Sequence, residues 1–426
     1  MGSYFGRTFY ALGNGQYRIL WFGTLFSFLG MQMQVMARGY LAYDLTHRNS
    51  ALGGVMLAFG IPQLVLGLWG GVLADRVPKR RLLVFCHAIV AANSAWLAFM
   101  IATGRVEFWM LIVAGFIQGG GFAFIGPARQ AFISDLVGKE AIGNAVVLQQ
   151  LSMNSTRVIG PSLAGTFIAI SFIGIGGVYV MTTLGFVIAA VTMLRLPPGN
   201  PIPRANRLSA LGDMRAGLSY VKGRPAVAIL ILTSFMVVMI GFPYQSFLPS
   251  VARDVYHVDA GGLGNLQSVG AVGAVIATVV VATYAGHSRA WFFQPVLGVA
   301  FGVSLMVLAL APHFITGLLA MFFVGGLASS FQSLNNSLTM SMSDQEYHGR
   351  VQSISMLSWS LFGIVALPIG MVADRIGIRE TISLMGATVI LAVIIIQAAG
   401  RIRNVAEDRY ARPPLRDSSG MPAGGH

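Results

Sequence analysis

Two long apolar segments, Leu52–Ala74 and Leu82–Thr103, contain no ionised side chain and are separated by the charged run Asp75–Arg81. Each segment has about the length, ~20 residues, that an α-helix needs to cross the hydrocarbon core of a membrane. Helices are expected because lipid offers no hydrogen-bond partner to an unpaired backbone group. The pattern predicts two membrane-spanning helices joined by a charged turn outside the bilayer.

The same alternation of apolar segments and short polar turns continues along the chain. Only 10% of the 426 residues are charged, whereas soluble domains carry about 25%. The fold class that we predict is therefore an all-α membrane protein with twelve transmembrane helices. The other predicted spans are Ile19–Tyr43, Phe108–Ile133, Ala145–Ile170, Val178–Leu194, Ala226–Pro249, Gly262–Tyr284, Ala290–Leu310, Ile315–Met340, Val351–Ala373 and Thr381–Ala399.

A long basic and proline-containing stretch divides the predicted spans into two sets of six. We predict an N-terminal six-helix bundle at 1–195, a cytoplasmic linker at 196–224 and a C-terminal six-helix bundle at 225–400. Residues 401–426 contain five arginines together with Pro, Gly and Ser. This composition is typical of a disordered tail, which we expect on the cytoplasmic side.

Several features of the first half recur in the second, which predicts two six-helix pseudo-repeats. Asp135 and Asp344, each at the end of a predicted span, are 209 residues apart, and Pro161 and Pro368 are 207 residues apart. The segment Ala285–Arg289 resembles a weakened copy of the charged turn after Ala74. Repeats of this kind are the architecture of carriers that bind their substrate between two halves.

The distribution of basic residues predicts the orientation. With the N-terminus in the cytoplasm, 21 of the 28 Lys and Arg residues fall on the cytoplasmic side and five on the other. Positive charge is retained on the cytoplasmic side of membrane proteins, so both termini are predicted to be cytoplasmic in a multi-pass protein of the cell (plasma or inner) membrane. The net charge of +13 then needs no nucleic-acid partner, and the one cysteine, Cys86, excludes an intrachain disulfide.

The charged turn resembles the signature of the major facilitator superfamily, Gly-x-x-x-Asp-Arg-x-x-Arg/Lys-Arg between spans two and three. Gly71, Asp75, Arg76, Lys79 and Arg80 occupy those positions. Further segments are similar to the bacterial exporter branch that includes enterobactin-exporter-like proteins: Tyr43–Thr46, Ser50–Gly53, Pro127–Gln130 and Gly160–Gly165. The resemblance extends over residues 14–400 and implies a twelve-helix carrier fold and a transport activity, with export as the direction.

One departure from the family pattern concerns energy coupling. Proton-linked drug exporters of the superfamily carry an arginine three residues before a Gln-Gly pair in span four. Gln118-Gly119 is present here, but the corresponding position is Gly115. Protons are the coupling ion that the resemblance implies, and this departure argues against the usual route.

The resemblance implies that the charged turn is a gate, formed by Gly71, Asp75, Arg76, Lys79, Arg80 and Asp135. Asp75 would face the positive N-terminus of span eleven, which starts near Val351, since a carboxylate is favourable there. Lys79 would pair with Asp135. The alternative is a cluster that serves only to fix orientation, and Arg81 fits that alternative.

Substrate contacts are predicted from polar side chains inside the spans. Gln34 and Arg38 are four residues apart and share a helix face. A buried arginine costs about 3 kcal/mol on insertion scales, so it normally faces a cavity or a partner. Arg38 therefore either meets an anionic or polar group of a substrate, or it pairs with Asp44 or extends outward.

The remaining predicted substrate-binding residues are Asn154, Arg157, Tyr244, Gln245, Gln332 and Asn335. Each has a structural alternative. Arg157 would instead bond the carbonyl groups that Pro161 leaves free, which the sequence slightly favours. The amides would instead join neighbouring helices.

Taken together, these features predict a secondary active transporter that works by alternating access and exports a drug-, siderophore- or metabolite-like small molecule. We expect a monomer in the lipid bilayer, with no cofactor and no catalytic residues. No metal site is predicted, because the seven histidines lack metal-ligand spacing. Two other functions remain open: a lysophospholipid or lipid translocator, and a transport-inactive membrane sensor.

Overall fold

A computed structural model describes residues 10–199, 217–284, 290–344 and 347–402. Within those ranges the regular structure is entirely helical. The long helices are α1 (Gly15–Thr46), α2 (Asn49–Arg76), α3 (Lys79–Ala102), α4 (Phe108–Leu136), α5 (Ile142–Ala169), α6 (Gly174–Leu194), α7 (Pro225–Val255), α8 (Ala260–Tyr284), α9 (Ala290–Leu310), α10 (Phe314–Met342), α11 (His348–Ile376) and α12 (Ile378–Ile402).

Ten of the described helices are long and apolar enough to cross a membrane, which confirms an all-helical membrane protein. The other two are α5 and α11. Polar side chains such as Gln149, Asn154 and Arg157 lower the hydropathy of α5. The count of twelve spans therefore stays a prediction.

Several helices extend beyond the predicted apolar segments, and α1 shows how capping at both ends can extend a helix. Predicted to begin at Ile19, α1 instead begins at Gly15, where the Asn14 side chain accepts hydrogen bonds from the amides of Gln16 and Tyr17. It ends at Thr46 and is capped by His47, whose φ of 50° lies in the left-handed region and whose amide donates to the Tyr43 carbonyl at 2.7 Å. Such a residue turns the chain sharply into α2.

Helix α7 is interrupted, because Pro243 has no amide hydrogen to donate to the preceding turn. A wider π-helical turn, Val237–Gly241, precedes the proline, and a second one, Val251–Val255, ends the helix. The predicted end at Pro249 was therefore too early. The extension brings Arg253 and Asp254 onto the same helix.

Helix packing joins neighbours mostly within α1–α6, the first group, and within α7–α12, the second group. In the first group α2 packs on α4, and in the second α8 packs on α10. Glycine makes both contacts close: a Cβ on Gly119 would lie 2.1 Å from the Phe59 carbonyl oxygen, and one on Gly325 would lie 1.9 Å from that of Gly270. Two extensive contacts, α2 with α11 and α5 with α8, join the groups.

Two ends of this assembly are named here after residues at their turns. The Arg48 end contains the turns that follow α1, α3, α5, α7, α9 and α11, and the Lys79 end contains those that follow α2, α4, α6 and α10. The predicted copy of the charged turn at 285–289, residues 200–216 of the predicted linker and residues 403–426 of the predicted tail lie outside the described residues.

Candidate functional site

At the Arg48 end, α1 and α7 are joined by two polar contacts. The Tyr43 hydroxyl donates a hydrogen bond to the Asp254 carboxylate, and Arg253 forms an ion pair with Asp44. Asp44 therefore pairs across the two groups, and the alternative in which it pairs with Arg38 is wrong.

The second contact at this end joins α2 and α11. A Cβ on Gly53 would lie 2.4 Å from the Ala366 carbonyl oxygen, and one on Gly370 would lie 2.5 Å from that of Asn49. Only glycine permits so close an approach of the two backbones. The Asp374 carboxylate at the end of α11 accepts hydrogen bonds from the backbone amides that begin α2.

The third contact joins α5 and α8. A Cβ on Gly165 would lie 2.5 Å from the Ala260 carbonyl oxygen, and the Ser268 hydroxyl donates to the Val158 carbonyl at 3.0 Å. Among described residues, the hydrogen bonds and ion pairs found between the two groups all lie in the half of the protein toward the Arg48 end. The two groups are thus held together at this end.

At the Lys79 end, the predicted gate residues are organised within the first group. Lys79, the first residue of α3, is buried, and its Nζ lies 2.6 Å from the Asp135 carboxylate near the end of α4. Arg80 donates to the carbonyl oxygens of Leu196 and Pro198 through its side chain and its backbone amide. Arg76 is exposed.

The side chain of Asp75 and the surroundings of Gly71 lie outside the described part of the structure, although both residues belong to α2. The gating role of the six residues stays a prediction, since both partners of the Lys79–Asp135 pair belong to the first group. The pair is a contact between α3 and α4.

Arg38 is only 2% exposed and lies inside the first group. Its guanidinium donates to the Gln118 side chain of α4, and Gln118 donates in turn to Gln34 at 2.9 Å. Gln34 completes the chain by donating to the Ser94 hydroxyl of α3 at 3.1 Å. Arg38 thus neither extends outward nor, in this arrangement, opens onto the space between the groups. Substrate contact by Gln34 and Arg38 stays a prediction.

Three polar side chains lie along one face of α5. Gln150, Asn154 and Arg157 are spaced by four and three residues, so they share that face. Arg157 is exposed and Asn154 is half-buried. Arg157 directly precedes Val158, whose carbonyl accepts the hydrogen bond from α8. Arg157, at one end of this polar face, therefore lies next to the residue that bonds α8.

The four predicted site residues of the second group differ in burial. Asn335 is buried and accepts a hydrogen bond from Gln294 at 2.9 Å, and Tyr244 is buried against the Phe301 ring. By contrast, Gln245 is exposed, and Gln332 is half-buried with its side-chain oxygen unpartnered among the described residues. Gln245 and Gln332 are thus the better placed for a ligand.

A further arginine inside the helices was missed, because its position in the sequence placed it among the cytoplasmic charges. Arg129 lies in α4, about two turns before Leu136, with its guanidinium 4.4 Å from the centre of the Phe28 ring. The ion pairs found between described residues are Lys79–Asp135, Arg224–Asp344 and Arg253–Asp44. Arg38, Arg129 and Arg157 take part in none of them. The described residues hold no cluster of His, Cys, Asp or Glu able to bind a metal.

Solved structures with this arrangement of helices are membrane transporters. A bacterial homologue of the human lysosomal transporter Spinster, inward-facing and unoccupied, superposes with a TM-score of 0.73 at 14% identity over 93% of this chain and 98% of its own. The nucleoside transporter NupG gives a TM-score of 0.71 at 12% identity, over 90% and 99% of the two chains. These similarities show that the chain has the fold of those transporters.

The family follows from the sequence itself. Residues 7–418 match the family of transmembrane secretion effectors within the major facilitator superfamily, and the chain belongs to that family. It is 25% identical to the staphyloferrin A transporter of Staphylococcus aureus, over 86% of this chain and 92% of that protein. It is 22% identical to macrolide efflux protein A of Streptococcus pyogenes, over 91% and 96% of the two chains.

A third relative is the enterobactin exporter of Citrobacter koseri, which is 23% identical over 73% of each chain. The protein is accordingly a secondary transporter that moves a small molecule across a membrane, from a family with exporters among its members. The resemblance drawn from Gly71–Arg80 is confirmed.

Proposed function

We propose that this protein is a twelve-span exporter of the cytoplasmic membrane in which the first group, residues 1–195, rocks against the second group, residues 225–400. The packing of α5 and α11 supports their assignment as the eleventh and twelfth membrane-spanning helices, because each lies against a membrane-spanning helix of the other group. The positive-inside rule puts the Lys79 end, the linker 196–224 and the tail 401–426 in the cytoplasm. The conformation closed at the Arg48 end would then receive substrate from inside.

We infer that the substrate binds between the polar face of α5 and two amide side chains of the second group, the exposed Gln245 and the half-buried Gln332. Asn154, Arg157, Gln245 and Gln332 are the proposed contacts. Gln34, Arg38, Tyr244 and Asn335 would hold the helices that carry these contacts, because their own side chains are buried in hydrogen-bonded or aromatic interiors.

The charge of Arg157 carries the proposal about the substrate. An arginine within a membrane helix is costly unless it meets an anion, a hydrogen-bond acceptor or water. Arg157 is exposed and forms no ion pair with the described residues. A substrate that is amphipathic and carries carboxylate or other anionic oxygen groups fits this environment.

The proposed cytoplasmic gate consists of Gly71, Asp75, Arg76, Lys79, Arg80 and Asp135. The pair of buried Lys79 with the more exposed Asp135 supports this assignment, because it joins the start of α3, next to the turn that carries Asp75, to α4. Protons are the proposed coupling ion. The carboxylates described in the helices lie near helix ends, as with Asp44, Asp135 and Asp254, so a proton would be exchanged near a gate and not at mid-membrane.

Flux in proteoliposomes tests the function. The purified protein is reconstituted, and efflux of an anionic fluorescent dye with free carboxylates is compared with that of its methyl ester, with and without an imposed pH gradient. The proposal predicts faster movement of the carboxylate form and acceleration by the gradient. Preference for the ester contradicts the substrate class, and indifference to the gradient contradicts proton coupling. Movement of labelled lysophospholipid alone would favour the lipid translocator.

A further inference from the structure

The charged turn after α2 has a close counterpart at the end of α11. Gly370-Met-Val-Ala-Asp374-Arg375-Ile-Gly-Ile-Arg379 matches Gly71-Val-Leu-Ala-Asp75-Arg76-Val-Pro-Lys79-Arg80 at five of ten positions. The two stretches are 299 residues apart, which is not the spacing of the six-helix repeat. Since α2 and α11 pack against each other and run in opposite directions, one stretch lies at each end of the protein.

The copy on α11 makes a defined contact with the other group. The Asp374 carboxylate accepts a hydrogen bond from the Asn49 amide at 2.5 Å and another from the Ser50 amide at 3.0 Å. Those amides belong to the first turn of α2, where donors have no partner within the helix. The residue before them, Arg48, provides no side-chain cap. The first turn of α2 is thus capped by a carboxylate from the opposite group.

Such a contact favours one conformation of the two groups. A carboxylate at a helix N-terminus gains from charge-assisted hydrogen bonds and from the helix dipole. The contact is lost if the groups separate at the Arg48 end. Asp374 is itself exposed, so water can replace its partners. Gly370, one turn earlier, allows the approach because any Cβ there would clash with Asn49.

We propose that Asp374 is the lock of the Arg48 end, and that α2 and α11 exchange caps during the transport cycle. This inference rests on the alternating-access function proposed above. Asp374 caps α2 when the Arg48 end is closed, and it would alternate with the contact that the family resemblance implies between Asp75 and the N-terminus of α11 when the Lys79 end is closed. The N-terminus of α11 is suited to this, because Tyr347 before it makes no side-chain cap. The cytoplasmic gate and its counterpart are thus two ends of one helix pair.

Distance measurements on the full chain test the proposal without reference to any substrate. The native cysteine is removed by Cys86→Ser, and spin labels are attached through Arg105→Cys and Pro312→Cys, which are exposed at the Arg48 end in the first and second groups. A second pair, Gly138→Cys and Ser341→Cys, reports on the Lys79 end. Double electron–electron resonance in lipid nanodiscs gives the two populations.

In Asp374→Asn the amide oxygen can still accept a hydrogen bond but the negative charge at the helix N-terminus is lost. The ratio of closed to open Arg48 ends is therefore expected to fall about two- to fivefold, the size of a lost charge–dipole interaction. Asp75→Asn is expected to shift the ratio the other way, and the double variant to lie between the two. The matched control is Asp259→Asn at the same end, since Asp259 caps only its own helix, at the amide of Gly262.

An unchanged distance distribution in Asp374→Asn, in protein that elutes as a single species, overturns the proposal. So does an equal shift in Asp259→Asn, because the effect would then be one of charge alone. If Asp374→Asn does not fold, Asp374→Glu serves instead and is expected to give a smaller shift in the same direction. If the distance distribution shifts in Asp374→Asn but neither the wild type nor any variant transports the dyes in proteoliposomes, the transport function is refuted and the role of Asp374 at the Arg48 end is retained.

Discussion

The guanidinium of Arg38 lies over Gly115, with its Nη1 atom 3.5 Å from the point that a Cβ on that glycine would occupy. Gly115 is the position at which proton-linked drug exporters of the superfamily carry an arginine. Here the guanidinium belongs to Arg38 of α1, and it donates a hydrogen bond to the side chain of Gln118, three residues further along α4. A guanidinium from another helix thus lies beside the position at which span four lacks the arginine.

The first prediction concerns the coupling between Arg38 and Gln118. Hydrogen bonds to charged groups contribute about 1.5–3 kcal/mol, and residues in one network are not additive. Arg38→Leu and Gln118→Leu are each expected to destabilise the protein. The double variant is expected to lose about 1–3 kcal/mol less stability than the two single variants lose together. Reversible unfolding in mixed micelles measures the cycle.

Additive losses in that cycle would show that the two side chains do not depend on each other. The control cycle pairs Arg38→Leu with Thr316→Ala. Thr316 lies in the other group, at the start of α10, so those two losses should add.

The second prediction concerns the contact between α2 and α11. Gly53→Ala places a methyl group 2.4 Å from the Ala366 carbonyl, which the backbone can relieve only by moving the groups apart. Gly67→Ala on the same helix meets nothing within 4 Å and serves as the control. We expect flux to fall about tenfold or more in Gly53→Ala, with little change in Gly67→Ala, since overpacking typically costs about 1–3 kcal/mol.

The outcome for Gly53→Ala is checked by flux together with thiol labelling from the Arg48 side, at a cysteine introduced into the contact. Faster labelling is expected, because the closed arrangement is weakened. Full flux and unchanged labelling would mean that the backbones separate without cost at this point.

The helical fold was predictable because apolar segments of membrane length admit only one backbone structure. The caps were not, because Asn14 and His47 act through local geometry that hydropathy does not register. Asp374 illustrates a second limit of prediction from the sequence. Its match to Asp75 was present in the sequence, but its meaning depends on α2 lying against α11, a contact between residues more than 300 positions apart.

The site residues show where periodicity stops being informative. Gln34 and Arg157 are both polar residues in helices, yet Gln34 is buried in a hydrogen-bonded chain and Arg157 is exposed. Spacing indicates which side chains share a face of one helix. It does not indicate whether that face meets a neighbouring helix, lipid or the space between the groups.

The third prediction concerns the ion pair between buried Lys79 and Asp135 at the Lys79 end. Asp135→Asn removes the anion next to a buried ammonium group, whereas Lys79→Met together with Asp135→Leu removes both charges. The single variant is expected to be less stable than the double variant by about 1–3 kcal/mol, because it leaves the buried Lys79 ammonium without the Asp135 carboxylate, whereas the double variant buries no ammonium. Glu140→Gln, an exposed acid in the same turn, should change stability little.

The same reversible unfolding measurement decides this prediction. Equal stability of Asp135→Asn and wild type would mean that the Lys79 ammonium is satisfied without Asp135. Greater loss in the double variant would instead assign the pair a direct role in holding α3 to α4.

The last prediction concerns Arg157 and the charge of the substrate. If the exposed guanidinium meets an anionic group, Arg157→Gln should slow transport of the carboxylate dye by about tenfold. This factor corresponds to the loss of roughly 1.4 kcal/mol from an ion pair or a charged hydrogen bond. The methyl ester should be affected much less. Arg157→Lys keeps the charge but not the planar donor geometry, so an intermediate rate is expected.

Arg105→Gln removes an exposed charge at the Arg48 end and is the control for surface potential. Equal slowing of dye and ester in Arg157→Gln would assign the arginine a structural role beside Pro161, because a distorted helix would not distinguish the charge of the substrate.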